Sequence, residues 1–416
     1  MKILWLVNIP LPAVVSKLKG KLRGSGHWIE SLRQEILKDE NHEMFVLHPS
    51  SKYERDFEFS DRSCHYFGIP ATNLELCGVR RKRLHQVLIK KISEISPDVV
   101  DVHGSEYAQS LVTKNRKWPT VMTLQGFVSE MQHSPFGDMS LWGFLKRQEK
   151  TLDGLSEIGK QIYGRLLLHF RARNERDSIG AARSFIGRTN WDREVVAKYR
   201  SNDFSYSSIN RIERDDFYTA TWIGQNSDSL FCCGRTNPAK GYHVALHALK
   251  ILESRGIRLK LRMTVDRHEV GWGKHLGALS DQLGLTDRVS FLGYLSESQI
   301  VEELKKCFAY LHPSFHDNSP NSLAEAQLIG VPCIASRVGG IPSMITDRET
   351  GVLAEPGSAE NLADKIVEVV SSSDLARSIG EKARCIAIKR HDKAEIARAT
   401  VQAYREAIDS FHHPRK

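Results

Sequence analysis

The chain opens on an unbroken apolar run at residues 3–7, the pattern of a strand buried on both faces. After Gly24-Ser25-Gly26, apolar residues recur at Trp28, Ile29, Leu32, Ile36 and Leu37, which is the period of an amphipathic helix. A strand, a glycine turn and a helix therefore begin the chain. Further short apolar runs at 44–47, 98–102, 120–124 and 184–187 predict strands separated by helical or loop segments. This alternation predicts an α/β fold whose parallel sheet is covered on both faces.

Around 219–230 the text TATWIGQNSDSL is polar, short-chained and carries a glycine, and a new apolar run follows at 230–233. It places a boundary between a first domain at 1–222 and a second at 223–395. The second half repeats the scheme: Ile257, Leu259, Leu261, Met263 and Val265 alternate with polar residues, and VSFLG and CFAYLH read as later strands. Ile396, Thr400, Ala403, Tyr404, Ala407 and Ile408 set off 396–416 as a terminal helix. No tandem repeat is visible.

Composition narrows the class without changing this picture. With 416 residues, 41% hydrophobic and 26% charged, the chain reads as an ordinary globular protein of more than one domain. Its seven cysteines are scattered with no C-x-x-C pair, which points to a reducing compartment and away from a zinc or disulfide framework. The first apolar run is too short for a signal-peptide core and no run is long enough for a membrane span, so the expectation is a cytoplasmic protein. Lys and Arg outnumber Asp and Glu by 34 to 27 through residue 222, but only by 25 to 23 beyond it. The excess concentrates at Arg80-Arg81-Lys82-Arg83, at Lys90-Lys91 and across 146–176. Such a surface suits an anionic membrane, or is an ordinary solvated face. No nucleic-acid-binding motif accompanies it, so no nucleic acid partner is expected.

Two segments carry candidate chemistry. In HPSFHDNSPNSLAEAQLIGVPCIAS, Ser319-Pro320 reads as an N-cap and first helical residue, and Gly330 as the stop. The helix N-terminus then faces the loop after a strand, where free amides and the helix dipole favour an anion. Asp317 precedes that helix and Glu325 lies in its second turn, which suggests acids for hydroxyls beside amides for phosphate. In CGRTNPAKGYHV, Gly234-Arg235 follows a strand and Lys240-Gly241 precedes a helix, so two cations at a strand's carboxyl end can clamp a diphosphate. His312 and His316 have the spacing of a helical metal pair, but Pro313 and the strand before it argue against a helix there.

These residues resemble the donor-binding half of the retaining family-4 glycosyltransferases, through GR-x4-KG and the acid-x7-Glu segment ending in EAQLIGVPCIAS. The likeness extends weakly through the first half, at Gly24–Gly26, PDVVDVHG and PTVMTLQG, and GRTNWD with INRIERDDFY resembles a bacterial surface-polysaccharide subgroup. The resemblance implies a GT-B fold, two Rossmann-like domains facing a cleft, with the terminal helix crossing back to the first. It implies a hexosyltransferase-type enzyme that takes a nucleotide-diphosphate sugar as co-substrate, needs no metal or other cofactor, and transfers to a glycan or lipid-linked acceptor. The basic surface would then rest on the inner face of the cytoplasmic membrane, where such an acceptor presents its sugar. Arg235 and Lys240 would hold the diphosphate, Glu325 the ribose and Asp317 the sugar hydroxyls. Gly26, Gly234, Asn318, Ser319, Asn321, Ser322 and Leu323 would approach the donor. Phe291, Gly293 and Tyr294 would line the base pocket, and His103, Arg188 and Asn190 would contact sugar or acceptor.

Two positions depart from the family pattern. Asp317 stands where Glu is usual, and Gln125 stands where the family has His before Gly. Glutamine hydrogen-bonds but cannot become an imidazolium. The His role is then positional, or has moved to His103, or activity is lost. Alternatives are a GT-B sugar-nucleotide epimerase and an inactive nucleotide-sugar-binding scaffold. A dehydrogenase fingerprint is disfavoured because Ile29 occupies its third glycine position.

Overall fold

The computed structural model describes residues 1–18, 26–62, 64–132, 152–200 and 203–413. Within them the chain forms two compact units. The first draws on Met1–Gln132, Gly164–Arg214 and the terminal segment from His391; the second is carried by Asp215–Arg390.

The strands of the first unit are β1 (Lys2–Leu6), β2 (Glu43–Ser50), β3 (Phe57–Asp61), β4 (Cys64–Pro70), β5 (Val99–His103), β6 (Thr120–Thr123), β7 (Ser184–Gly187) and β8 (Ser205–Ser208). They pair in the order β3-β4-β2-β1-β5-β6-β7-β8, all parallel except β3, which runs antiparallel to β4. Both faces are apolar because consecutive residues point to opposite sides. Ile3, Trp5 and Val7 join the core beneath the helices His27–Ile36 and Lys393–His412, while Leu4 and Leu6 meet the helix Lys82–Ile95. The patterns at 3–7, 44–47, 98–102, 120–124 and 184–187 all fall on strands, whereas β3, β4 and β8 were not legible. β8, Ser-Tyr-Ser-Ser, is a polar edge strand with no apolar alternation to reveal it.

The second unit holds β9 (Ser229–Cys232), β10 (Lys260–Met263), β11 (Val289–Phe291), β12 (Ala309–His312), β13 (Cys333–Ser336) and β14 (Val352–Ala354). Their order is β11-β10-β9-β12-β13-β14, every pairing parallel. Alternation is strict: Leu230, Leu311, Ile334 and Val352 enter one core, while Phe231, Tyr310, Cys333 and Leu353 enter the other. The chain reverses its direction of travel across the sheet between β9 and β12, and in open α/β sheets such a switch point is where ligands bind. In the first unit the same reversal lies between β1 and β5.

The units part at 214/215 and 390/391, not at 222/223 and 395/396. Phe217 is fully buried and packs with Tyr218, Ala220 and Trp222 in the second unit's core. The Trp222 indole also donates to the Cys307 carbonyl at 2.8 Å. A polar, glycine-bearing text thus reads as a linker while its aromatic anchors hold it inside a domain. The terminal helix Lys393–His412 packs on the first unit's core through Ile396, Ala397, Ala403, Tyr404 and Ala407.

Candidate functional site

At the switch point of the second unit, β9 runs out into Cys233, Gly234 and Arg235. The Gly234 amide donates to Thr264 Oγ1 at 3.0 Å and its carbonyl accepts from the same hydroxyl at 3.1 Å, which fixes the peptide that presents Arg235. Arg235 is exposed and makes no ion pair among the described residues. Asn237 then caps a short turn, Pro238–Lys240, its Oδ1 accepting from the Ala239 amide at 2.8 Å. Gly241, at φ +70°, opens the helix Tyr242–Ser254, and a Cβ there would stand 1.9 Å from the Pro313 carbonyl oxygen. The Phe315 amide donates to the Ala239 carbonyl at 2.8 Å. The loops after β9 and β12 are therefore stitched together.

This stitching brings Lys240 onto Asp317, with Nζ 2.5 Å from Oδ2. The same oxygen accepts from His312 Nε2 at 2.8 Å and from Ser314 Oγ at 3.3 Å. Burial alone would raise the Asp317 carboxyl; the Lys240 ammonium and His312 outweigh it and hold the acid far below the usual carboxylate range. Burial lowers the His312 imidazole below its ordinary value despite the neighbouring acid, so the ring is neutral at pH 7. The backbone of Asp317 is held as closely as its side chain. The Gly340 amide donates to its carbonyl at 3.2 Å, and a Cβ on Gly339 would lie 2.0 Å from that oxygen.

The helix that follows is Asn321–Ile329, with Pro320 as its cap: the amides of Leu323 and Ala324 both reach the Pro320 carbonyl at 3.2 Å. The start lies one residue beyond the expected Ser319 cap, because Pro320 takes an extended ψ of 127° instead of the helical value. Gly330 ends it at φ +85°, as its position implied. Asn318 and Ser319 are buried just before the helix, Asn321 and Ser322 open it, and Leu323 is fully buried as an anchor. The amides of Asn321 and Ser322, ahead of these two, have no intrahelical acceptor, so this terminus offers donors and a positive dipole end to an anion. Glu325, in the second turn, is 4% exposed, a carboxylate set inside the unit and not on a solvent flank.

Phe291, Gly293 and Tyr294 leave β11, two strands from the switch point. The Gly293 amide donates to Val265 O at 3.0 Å, its φ is +65°, and the Tyr294 ring that follows is 96% exposed. This is an open shelf of main chain and one aromatic ring.

In the first unit, His103, Gln125 and Arg188 follow or end β5, β6 and β7 and line a common pocket with Trp28, Thr123 and Arg211. Arg188 Nη2 donates to the carbonyls of Leu124 and Gln125 at 2.9 and 2.7 Å, so it braces the β6 loop. Asn190 begins a helix whose cap is reciprocal: Thr189 Oγ1 accepts from the Asp192 amide and the Asp192 carboxylate from the amides of Arg188 and Thr189. Gly26 caps the helix His27–Ile36 and donates to Pro10 O at 3.0 Å; Gly24 and Ser25 lie outside the described residues.

Sequence reasoning missed what stands behind His103. Its Nε2 is 3.3 Å from Oδ2 of Asp101, a fully buried carboxylate bonded by Thr123 and by Tyr404 of the terminal helix. An acid inside the apolar run PDVVDV was the available signal. At this unit's switch point Asn8 Nδ2 donates to Glu106 Oε1 at 2.7 Å, and burial raises the Glu106 carboxyl.

Residues 221–385 match the family model for glycosyl transferases group 1. Over 106 residues the chain is 38% identical to the N-acetyl-alpha-D-glucosaminyl L-malate synthase of Bacillus anthracis, covering 26% of this chain and 27% of that protein. Over 184 residues it is 28% identical to the D-inositol 3-phosphate glycosyltransferase of Mycolicibacterium smegmatis, covering 44% and 41%. The alignments thus span less than half the length of these relatives. Sucrose-phosphate synthase from Thermosynechococcus elongatus superposes with a TM-score of 0.71 at 15% identity, covering 99% of this chain and all of that one. Anabaena HepE, solved in complex with UDP-glucose, superposes with a TM-score of 0.66 at 17% identity, covering 98% and 100%. A GT-B fold, built from two Rossmann-like units, carries in this chain a glycosyl transferases group 1 domain at residues 221–385.

Proposed function

We propose that the chain is a retaining glycosyltransferase that moves a sugar from a nucleoside-diphosphate sugar to a hydroxyl of a glycan or lipid-linked acceptor, in bacterial surface-polysaccharide assembly. One observation carries the reading: at the switch point of the second sheet, the loops after β9 and β12 bring Lys240 onto Asp317 just before the Asn321–Ile329 helix, with Arg235 exposed on the same β9 loop. Two cations and open amides suit a diphosphate, and carboxylates suit the hydroxyls of a sugar and a ribose. Arg235, Lys240 and the amides would stabilise the charge that develops as the nucleotide departs, with no protein nucleophile and no cofactor. The acceptor hydroxyl would attack on the face the nucleotide leaves.

The UDP-glucose seen with Anabaena HepE supports a nucleotide-sugar donor. The test is a thermal-shift panel of UDP, GDP, ADP and their sugars, followed by product analysis with the donor that binds. Binding with transfer, or with slow donor hydrolysis, supports an enzyme; binding without turnover makes the chain a scaffold; no binding removes the reading.

The basic excess of the first half supports peripheral docking on anionic lipid at the cytoplasmic membrane. Arg81 and Arg83 serve internal pairs, with Asn174 at 2.9 Å and Glu75 at 2.6 Å, which leaves Arg80, Lys82 and Lys90 among the exposed cations. Part of the basic stretch at 146–176 lies outside the described residues. No helix among the described residues is long and apolar enough to cross a membrane. Vesicle sedimentation with no preference for anionic over neutral lipid would remove the docking idea.

A further inference from the structure

The donor-site reading gives His312 no role, yet the geometry does. His312 ends β12 and is 2% exposed. A carboxylate is an acceptor only, so the 2.8 Å contact with Asp317 assigns the ring proton to Nε2 and leaves Nδ1 as an acceptor. The Tyr310 hydroxyl lies 3.1 Å from Nδ1 and 2.7 Å from Ser322 Oγ, in the first turn of the Asn321–Ile329 helix. A chain of polar contacts therefore runs from Ser322 through Tyr310, His312 and Asp317 to Lys240.

All the donors on Asp317 converge on Oδ2: Lys240 at 2.5 Å, His312 at 2.8 Å and Ser314 at 3.3 Å. No described residue bonds Oδ1, and the Asp317 side chain keeps 15% of its surface exposed. An ammonium on a flexible four-carbon stem cannot by itself fix a carboxylate, because both partners retain torsional freedom. A histidine buried in a central strand can. We propose that His312 is a positioning residue of the donor site: by holding Oδ2 of Asp317 it sets where the Lys240 ammonium stands for the diphosphate and keeps Oδ1 turned to a hydroxyl of the transferred sugar. This rests on the donor-site reading above.

The test is calorimetric binding to the full chain of whichever of UDP-, GDP- or ADP-glucose binds the wild type, beside the matching nucleoside 5′-monophosphate, which lacks the β-phosphate and the sugar. H312L should weaken nucleotide-sugar binding by about tenfold to a hundredfold, the effect of losing one charge-assisted hydrogen bond, and leave monophosphate binding unchanged. H312Q, whose amide donates from near the Nε2 position, should recover most of the loss. If H312L does not fold, Y310F cuts the same chain one link earlier and should show the same selective loss in smaller measure. Unchanged nucleotide-sugar binding, equal loss of both ligands, or no rescue by H312Q overturns the proposal while the donor site stands. A wild type that binds no nucleotide sugar overturns the donor site and this inference together.

Discussion

Tyr404 donates its phenol hydrogen to Oδ2 of Asp101 at 2.6 Å and so joins positions 303 residues apart. The Trp5 indole donates to the same phenol oxygen at 2.9 Å, which ties β1, β5 and the terminal helix at one buried point. A buried carboxylate without its donors is strongly disfavoured. Tyr404→Phe should therefore lower the unfolding free energy by about 1–3 kcal/mol, read as a lower urea midpoint at unchanged slope. An unshifted midpoint would show that Thr123 alone satisfies Asp101.

Arg235→Ala and Lys240→Ala should each weaken nucleotide-sugar binding by about tenfold to a hundredfold, the range for a charged hydrogen bond to phosphate. Glu325→Ala should weaken the nucleotide as well as its sugar conjugate. If Lys240→Ala leaves binding and turnover untouched, the diphosphate clamp is wrongly assigned.

Gln125→Ala should lower turnover while donor affinity holds, since Gln125 lines the first unit's pocket and not the switch point of the second. Steady-state kinetics with varied donor separates the two effects. An unchanged kcat would assign the polar role of that pocket to His103.

Gly339→Ala should abolish donor binding, because the new methyl would meet the Asp317 carbonyl at 2.0 Å in a backbone already at φ +51°. Gly256→Ala is the control: its φ is +78° but a Cβ there meets nothing within 4 Å, so only about 1–2 kcal/mol of backbone strain is expected. Equal effects from the two substitutions would mean that conformation, not the close approach to Asp317, matters at Gly339.

Burial raises the Glu175 carboxyl to about 7, against the hydrogen bonds it accepts from Ser129 and Ser105. An acid whose folded pKa lies above its unfolded one contributes stability below the unfolded value, about 4.5, and loses it as pH rises toward 7. His48, lowered to about 4 by burial, acts oppositely over part of that window. Denaturation of wild type and Glu175→Gln at a series of pH values isolates the first contribution. The stability difference between them should change by up to about 3 kcal/mol in favour of the variant as pH rises from 4.5 to 7; a pH-independent difference would mean that Glu175 stays ionised.

The order of the apolar runs determined the α/β class and most of the parallel strands, because a strand buried on both faces must be apolar throughout. Spacing likewise marked Arg235, Lys240, Asp317 and the Gly330 stop, since a loop after a strand and a glycine after a helix leave local signatures. Tertiary structure decided which of these residues meet. Lys240 and Asp317 are 77 positions apart and touch only because the sheet sets β9 beside β12. The terminal helix's claim on Asp101 and the anchoring of 215–222 in the second unit were equally hidden. Each depends on long-range packing and on desolvation, and neither is a property of a residue's neighbours along the chain.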